Sequence, residues 1–597
     1  MDLFGSAKNK AEAEKKATAE IIEAIKKALP KKVSSKLIAI DYPPQNNLGD
    51  YTVPCFLLAK KLKQPPVELA EFLAKNIEPA GLISRIEAKG PYLNFFTNQK
   101  VFTELVLKEI FKKKSRFGKN ISGKGKRVMV EYFSPNTNKP LTIGHVRNIC
   151  LGQSLVNLMK LCGYKVIQST LYNDRGIAIA KTIVGYQKWG NGQTPKEAGL
   201  KPDHFVGSFY VKFCQQAKIE PELEKEAKKV LQEWEKGSKE IKVVWQKLMT
   251  WVLDGFKETL ADLKIGKFDE EYYESEHYQS GKEAVEKGLK KGVFVKDSEG
   301  VILAPLQKYG LPDKIVLRPD DTSLYVTQDL YLAYLKEKYQ LDQSIYVVGS
   351  EQDLYFKQLF KILELLGFLK APNYHHLSYG MIRLPDGKIK SREGLIKGTG
   401  ADDLLAELNN LAETEIKKRF PDLVEAEIEK RAGQISLAAL KFYILAVSPA
   451  TTMVFDPAQS IAFAGRTGPY LQYVAARINS IFAKGKEKPS IKIDFAKLDN
   501  ELEFAIVKLL SRFPGIVSAA VKNFDPSILA NYLFDLAKAF SLFYEKLPVL
   551  NADKEVKAAR LLLIYDVKTI LAIGLELLGI EVLEKMRRPA GAGGFKL

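Results

Sequence analysis

The chain has 597 residues and a formal net charge of +19, with 46% hydrophobic and 27% charged residues. This composition is ordinary for a folded protein and excludes a disordered chain, a collagen and a disulfide-rich scaffold. No apolar run reaches the ~18 residues that a membrane-spanning helix needs, so we expect no membrane partner. The four cysteines are scattered and there are only five histidines, which predicts neither structural zinc nor a disulfide framework.

The first residues lack the apolar stretch of a secretory signal, so we expect a cytoplasmic protein. The positive charge favours a polyanionic partner, such as nucleic acid. Much of it lies in three stretches, at residues 8–36, 111–127 and 585–597. Each stretch alone is typical of a solvated face or a linker, but together they favour phosphate contacts.

The first 110 residues are predicted to form a mixed α/β module, with helices over 11–29, 56–62 and 67–77. A hairpin is expected over 85–96, with Gly90-Pro91 at its centre. Residues 111–127 then form a basic linker.

A strand over 127–133, a loop, a helix over 145–160 and a strand over 164–170 follow. This order is the signature of a doubly wound α/β fold, whose ligand loop lies at the carboxyl end of the first strand. Residues 190–303 are mostly helical and charged, which indicates an insertion. Strand and helix signals resume at 315–325, 330–339 and 344–349, and the chain is helical from about 432.

The loop from Ser134 to His145 reads SPNTNKPLTIGH and is the strongest local motif. Gly144 would let the backbone approach a nucleotide closely. His145 and Arg147 stand at a predicted helix N-terminus, which attracts phosphate, and Lys139 is a cation on the same loop. A capped tight turn would explain a lone Gly-His pair, but here the whole motif lies between a strand and a helix.

This loop resembles the His-Ile-Gly-His signature of class I aminoacyl-tRNA synthetases, in the form found in arginyl-tRNA synthetases. Between about residue 40 and residue 586, further segments resemble the same family in the same order: GYKVIQSTLYNDRG, SLYVTQDL, YVVGSEQDLYFKQ, GMIRLPDGKIKSREG, TGPYLQYVAARI and AARLLLIYDV. The resemblance implies a monomeric ligase that uses ATP, with Mg²⁺ as the nucleotide complex, to convert L-arginine into arginyl-adenylate. The enzyme would then transfer the arginyl group to the 3′-terminal adenosine of tRNA(Arg), releasing AMP and pyrophosphate.

The fold class is therefore expected to be α/β, with a Rossmann-type doubly wound catalytic domain split by an insertion. The domains expected are an N-terminal α+β tRNA-binding module (1–118), the first half of the catalytic domain (119–189), a helical insertion (190–303), the second half of the catalytic domain (304–370), a KMSKS-like loop with a connecting region (371–431), and an all-α anticodon-binding bundle with a basic tail (432–597).

Two signature positions depart from the family. The first histidine of the first signature is Thr142, which can still donate to a phosphate oxygen. The second signature, usually KMSKS, reads KIKSREG over 388–394 and places Ser391 where the second lysine usually stands. Many arginyl enzymes resemble this departure and carry a compensating lysine upstream, which here is Lys139.

Adenylation is an in-line attack on the α-phosphate, so positioning and stabilisation of negative charge supply most of the effect. The catalytic residues that the resemblance implies are Lys139, Thr142, His145, Lys388, Lys390 and Arg392. The ATP-binding residues that it implies are Pro135, Asn136, Gly144, His145, Asn148, Gly380, Met381 and Lys388.

A guanidinium group offers five donors in a planar fork, so its pocket should contain carboxylates and neutral acceptors. The arginine-binding residues that the resemblance implies are Glu131, Ser134, Asn136, Tyr325, Asp329 and Gln352. Two neighbouring residues depart from the family: Asp321 replaces a glycine and Gln328 replaces an arginine.

Anticodon bases need flat or soft apolar surfaces for stacking. The resemblance assigns Tyr470, Tyr473, Tyr544 and Met586 to the anticodon, and we add Asn94 of the N-terminal module as a tRNA contact. Packing inside a helical bundle is an alternative for one of the first two tyrosines.

Two other classes of function stay open. Thr142 is compatible with a synthetase of another specificity or a small-molecule nucleotidylyl transferase, although the helical C-terminal region argues against the latter. A non-catalytic RNA-binding paralogue would explain the charge and the tyrosines, but the retained Lys139, His145, Asp329 and Gln352 argue against it.

Overall fold

The structure is a computed structural model and describes residues 10–29, 33–278, 280–319, 324–385 and 400–583. The α-helices are α1 (Glu12–Ala28), α2 (Phe56–Leu62), α3 (Pro66–Asn76), α4 (Gln99–Lys113), α5 (Ile143–Leu161), α6 (Ile177–Trp189), α7 (Pro195–Ala198), α8 (Pro202–Gln216), α9 (Glu222–Glu235), α10 (Lys239–Asp262), α11 (Glu274–His277), α12 (Ser280–Lys290), α13 (Tyr325–Glu337), α14 (Asp353–Leu366), α15 (Ala401–Arg419), α16 (Glu425–Leu445), α17 (Pro457–Ser460), α18 (Gly468–Gly485), α19 (Glu501–Asn523), α20 (Ser527–Lys546) and α21 (Lys554–Leu577). The β-strands are β1 (Tyr51–Pro54), β2 (Ile83–Lys89), β3 (Tyr92–Thr97), β4 (Arg127–Glu131), β5 (Lys165–Tyr172), β6 (Glu270–Tyr273), β7 (Val295–Lys296), β8 (Ile302–Ala304), β9 (Lys314–Leu317), β10 (Gln343–Gly349), β11 (His375–Tyr379), β12 (Ile382–Arg383) and β13 (Met453–Val454).

The N-terminal module is an antiparallel sheet of order β1-β3-β2 with α1 and α3 packed against it. The predicted hairpin is confirmed, since β2 and β3 pair antiparallel around Gly90. Gly90 has a φ of +57°, a left-handed conformation that glycine adopts without strain.

Residues 127–379 contain a five-stranded sheet of order β11-β10-β4-β5-β6, and every pair in it is parallel. Numbered along the chain, this is the doubly wound order 5-4-1-2-3, so the predicted fold class is confirmed. Its first strand, β4, reads RVMVE and is almost wholly buried, as expected of a strand covered on both faces.

One strand of this sheet lies inside the range predicted as insertion. β6 reads EEYY and pairs with β5 at the sheet edge. A short polar edge strand carries no apolar run, so no strand was predicted there. Likewise, the predicted strand over 315–325 is limited to β9, which belongs to a separate antiparallel sheet of order β7-β8-β9.

Helices α15 to α21 form the C-terminal region, together with the short strand β13. By length and composition α19 could cross a membrane, but 72% of its apolar window is buried inside the protein. Such burial is typical of the core helix of a helical bundle.

Candidate active site

The parallel sheet places a crevice between β4 and β10. The two strands are neighbours, but β4 connects through α5 to β5 on one side, and β10 connects through α14 to β11 on the other. Ligands of doubly wound sheets bind at such a switch point, outside the carboxyl ends of the strands. Glu131 ends β4 and Gly349 ends β10, so both open onto this crevice.

Asn148 links the two strands beside the crevice by hydrogen bonds. Its Oδ1 accepts from the backbone N–H of Phe133 at 2.6 Å, and its Nδ2 donates to the carbonyl of Val347 at 2.5 Å. Phe133 has a φ of +61°, an uncommon conformation for a non-glycine residue, and the chain turns there into the signature loop. The side chain predicted to bind ATP therefore holds β4 and β10 together.

The signature loop runs along the crevice from Ser134. Pro135 is buried, and its carbonyl accepts from the N–H of Asn173 at 3.1 Å, which fixes the loop against the end of β5. Ser134 and Asn136 are exposed on either side of it. Both predicted arginine-binding residues of the loop thus remain accessible.

Thr142 and His145 form the start of α5. Thr142 is the N-cap, and its backbone N–H donates to Nδ1 of His145 at 3.0 Å. This bond places the imidazole proton on Nε2, so His145 offers an N–H donor at the helix N-terminus. Burial first, and then the positive charge of Lys139, lower the pKa of His145 to about 4. His145 is therefore neutral at pH 7.

Arg147 was expected beside a phosphate, and the structure overturns this expectation. Its side chain is 0% exposed and its guanidinium donates to backbone carbonyls. These are Gly380 at 2.6 Å, Thr451 at 2.8 Å, Pro449 at 3.0 Å, Met381 at 3.3 Å and Ser448 at 3.4 Å. Arg147 thus ties α5 to the connection between β11 and β12 and to the segment 448–451.

Gly380 and Met381 form the short connection between β11 and β12. A Cβ added at Gly380 would come within 2.6 Å of the backbone of Thr451 and Thr452, so the close approach requires glycine. Met381 is 52% exposed. The remaining predicted residues of the second signature, Lys388, Lys390, Ser391 and Arg392, lie outside the described residues.

Asp329 is the centre of the predicted amino-acid pocket. Its Oδ2 accepts a hydrogen bond from the Tyr355 hydroxyl, and burial is the first cause that raises the pKa of Asp329, to about 6. Tyr325 lies one helical turn earlier and is 69% exposed. Gln352, after β10, is exposed as well. The pocket therefore combines a desolvated carboxyl with accessible polar groups.

Glu131 is not free in the pocket. Its Oε2 accepts from the Lys336 ammonium at 2.5 Å, and both side chains are buried. Lys336 was not predicted as a pocket residue, because a lysine within a helix is ordinarily a surface residue.

Glu274 was also missed. It is buried, and its pKa is raised to about 7, first by burial, with Asp174 and Asp329 adding to the rise. Its Oε1 accepts from Nε2 of Gln328 at 2.8 Å, and Arg175 lies 3.7 Å away. Gln328 thus places a neutral donor where the family motif has an arginine, while the other departure, Asp321, lies outside the described residues. Glu274 gave no signal because it lies in the acidic run EEYYESE of the predicted insertion.

Comparison with known proteins agrees with this geometry. Three family models match the chain: arginyl tRNA synthetase N-terminal domain over 15–97, class I (R) tRNA synthetase catalytic domain over 106–456, and DALR anticodon-binding domain over 471–586. The chain belongs to the arginyl-tRNA synthetases.

Relatives of the full length support the same assignment. The chain is 39% identical to the arginine–tRNA ligase of Treponema pallidum, over 96% of this chain and 98% of the relative. It is 40% identical to that of Treponema denticola, over 93% and 96%. The Thermus thermophilus arginyl-tRNA synthetase superposes with a TM-score of 0.78 at 25% identity, covering 95% of this chain and all of the other.

In this arginyl-tRNA synthetase, the start of α15 is anchored twice. The N–H of Ala401 donates to the carbonyl of Leu141, beside the first signature, at 2.9 Å. Asp402 accepts from Lys201 Nζ at 2.9 Å and lies 2.7 Å from Nε2 of His204, both contributed by the insertion. Asp203, His204 and Asp402 are close enough to share a cation, but the Lys201 ammonium already contacts both carboxylates.

The predicted anticodon residues lie at different depths. Tyr470 is buried, with its hydroxyl 2.8 Å from Ser541 Oγ, which fits the packing alternative. Tyr473 and Tyr544 are half-buried and share Arg477, whose guanidinium carbon lies 4.5 Å and 5.4 Å from the two ring centroids. Met586 lies outside the described residues.

Arg477 was not predicted from the sequence. It joins Tyr473 and Tyr544 into one aromatic and cationic surface. In the N-terminal module, Asn94 is buried in the central strand β3, so its side chain does not reach the surface.

Proposed function

We propose that this chain activates L-arginine with ATP and transfers the arginyl group to the 3′-terminal adenosine of tRNA(Arg). The observation that carries the proposal is a pair of carboxyls, the half-buried Asp329 and the buried Glu274, beside the crevice that the N-terminus of α5 enters. Carboxyls with raised pKa values in a cleft are candidates for binding a cation or for acid–base work. A guanidinium is the cation that fits the family.

In the first step, the arginine carboxylate attacks the α-phosphorus of ATP. A bond forms between the carboxylate oxygen and phosphorus, and the bond from phosphorus to the pyrophosphate oxygen breaks. The N–H groups in the first turn of α5, Nε2–H of His145 and the Lys139 ammonium are proposed to stabilise the charge on the phosphates. Mg²⁺ enters as part of the ATP complex, and Lys388, Lys390 and Arg392 are proposed to join it at the phosphates.

In the pocket, Asp329 and Glu274 receive the guanidinium, with Tyr325 and Gln352 as neutral neighbours. A buried carboxylate that meets an uncharged side chain stays unpaired, which costs about 1–3 kcal/mol or more. Such a site rejects neutral amino acids strongly. Glu131, Ser134 and Asn136 lie at the crevice side and are proposed to bind the α-ammonium and carboxylate end.

In the second step, the terminal adenosine hydroxyl of tRNA attacks the adenylate carbonyl, and AMP leaves. Tyr473, Arg477 and Tyr544 form the proposed stacking surface for the anticodon, joined by Met586. Stacking of bases on aromatic and guanidinium planes is the usual way to bind unpaired bases. We propose that the enzyme acts as a monomer in the cytoplasm.

The test is aminoacylation with purified protein, ATP, total tRNA and one labelled amino acid at a time. Arginine should be charged onto tRNA, and lysine and glutamine should not. Charging of lysine or glutamine in place of arginine would refute the assignment. The tRNA is present in every reaction, so that activation that depends on tRNA is not missed.

A further inference from the structure

Lys336 is a buried lysine at the edge of the proposed arginine pocket. It lies on α13, seven residues or two helical turns after Asp329, so the two side chains share one face of the helix. Lys336 is 2% exposed, and its Nζ lies 2.5 Å from Oε2 of Glu131. Among the described residues, Oε1 of Glu131 accepts no hydrogen bond.

The surroundings of Lys336 keep it charged. Its Nζ lies 3.4 Å from the Tyr346 hydroxyl and 4.5 Å from the Tyr346 ring centroid, with the Tyr272 ring at 5.9 Å. Burial alone would lower the pKa of Lys336, but the Glu131 carboxylate and the two tyrosines raise it above its ordinary value. Lys336 therefore stays protonated beside Glu131 at neutral pH.

We propose that Lys336 is a positioning residue for arginine binding, which acts by holding Oε2 of Glu131 so that Oε1 is directed to the substrate. This inference rests on the proposed function, because it assumes that Glu131 contacts arginine. A cation fixed on one carboxylate oxygen sets the orientation of the other. An ion pair that only joined β4 to α13 would not require Oε1 of Glu131 to be without a hydrogen bond at the carboxyl end of β4.

Removal of the ammonium would weaken arginine binding in two ways. No cation would then hold Oε2 of Glu131, so its Oε1 would lose its fixed direction. Burial is the first cause that raises the pKa of Asp329, and Lys336 is one of the cations that lower it, so the loss of Lys336 would raise that pKa further. Asp329 would then be less ionised at neutral pH, and this part of the loss would recover as the pH rises.

The experiment compares wild type, Lys336→Met and Lys336→Arg in tRNA charging between pH 6 and pH 9. For Lys336→Met, we expect at least a tenfold rise in the KM for arginine at pH 7, a smaller rise at pH 9, and an unchanged KM for ATP. Lys336→Arg keeps a cation beside Glu131 and should stay within threefold of wild type.

Arg560→Met is the matched control. Arg560 forms a buried ion pair with Glu503 at 2.6 Å in the C-terminal region, remote from the crevice in the fold. This variant should also lower the thermal unfolding temperature, but its KM for arginine should stay within twofold of wild type. The control therefore separates a loss of stability from a change in the pocket.

A folded Lys336→Met enzyme with a KM for arginine within twofold of wild type would overturn the proposal. If that variant does not fold, Glu131→Gln is compared with the double variant Glu131→Gln/Lys336→Met, which leaves no charge unpaired. The double variant should bind arginine as Glu131→Gln does, and a further tenfold loss would overturn the proposal. A wild-type enzyme that charges no arginine would instead refute the proposed function.

Discussion

Replacement of Asp329 by asparagine should weaken arginine binding and, at the same time, stabilise the free protein. The substitution keeps the shape of the side chain and its acceptor for the Tyr355 hydroxyl but removes the charge. A hydrogen bond to a charged group contributes about 1.5–3 kcal/mol, so the KM for arginine should rise roughly 10- to 150-fold. The KM for ATP should not change.

The gain in stability follows from the raised pKa of Asp329. Its pKa is about 6 in the folded protein against a model-compound value of 3.8, so folding disfavours the ionised form. Two pKa units correspond to about 3 kcal/mol, which wild type loses in full above pH 6. As the pH falls from 6 towards 3.8, this penalty disappears.

The assay is chemical denaturation of wild type and Asp329→Asn, both free of substrate, at pH 8 and at pH 4.5. The variant should be the more stable protein at pH 8, by up to about 3 kcal/mol, and the difference should shrink at pH 4.5. An Asp329→Asn protein that is less stable than wild type at pH 8 and has an unchanged KM for arginine would refute the reasoning.

Three further predictions concern other parts of the enzyme. Arg147→Met leaves the carbonyls of Gly380 and Thr451 without their donor and removes one of the two donors to the carbonyl of Pro449. It should cost about 3–5 kcal/mol in denaturant unfolding, whereas a loss under 1 kcal/mol would contradict this role of Arg147. Because the pKa of His145 is about 4, the kcat of wild type should show no ionisation of His145 between pH 6 and pH 8. An ionisation near pH 6.5 in wild type that is absent from His145→Asn would contradict this. Tyr544→Ala removes a stacking surface worth about 1–3 kcal/mol and should raise the KM for tRNA without changing that for arginine, while an equal rise in both would argue for a purely structural role.

Much of the fold could be predicted because the relevant elements carry strong local signals. The hairpin of β2 and β3 follows from alternation around Gly90-Pro91, and β4, α5 and β5 follow from a buried apolar strand, a capped helix and a second strand. The edge strand β6 could not be predicted, because its residues EEYY are polar and gain their pairing only from β5.

Site residues that belong to a sequence motif could be predicted. Site residues that reach the pocket from distant segments of the chain could not. Asp329 and Tyr325 are one helical turn apart, and the structure keeps them together. Glu274 and Lys336 enter the pocket only through the tertiary fold, from the start of α11 and from the far end of α13. For Arg147 the motif was misleading. Its position beside the signature loop predicted a phosphate contact, but its side chain is buried and donates to backbone carbonyls instead.

Charging of tRNA should depend on the positive charge of the amino acid side chain, because two carboxyls line the proposed pocket. The measurement is charging of tRNA with arginine and with citrulline, its uncharged analogue of nearly the same shape. The kcat/KM for citrulline should lie at least ~10⁴-fold below that for arginine, because citrulline brings no positive charge to Asp329 and Glu274. Charging of the two amino acids with similar kcat/KM would contradict this expectation.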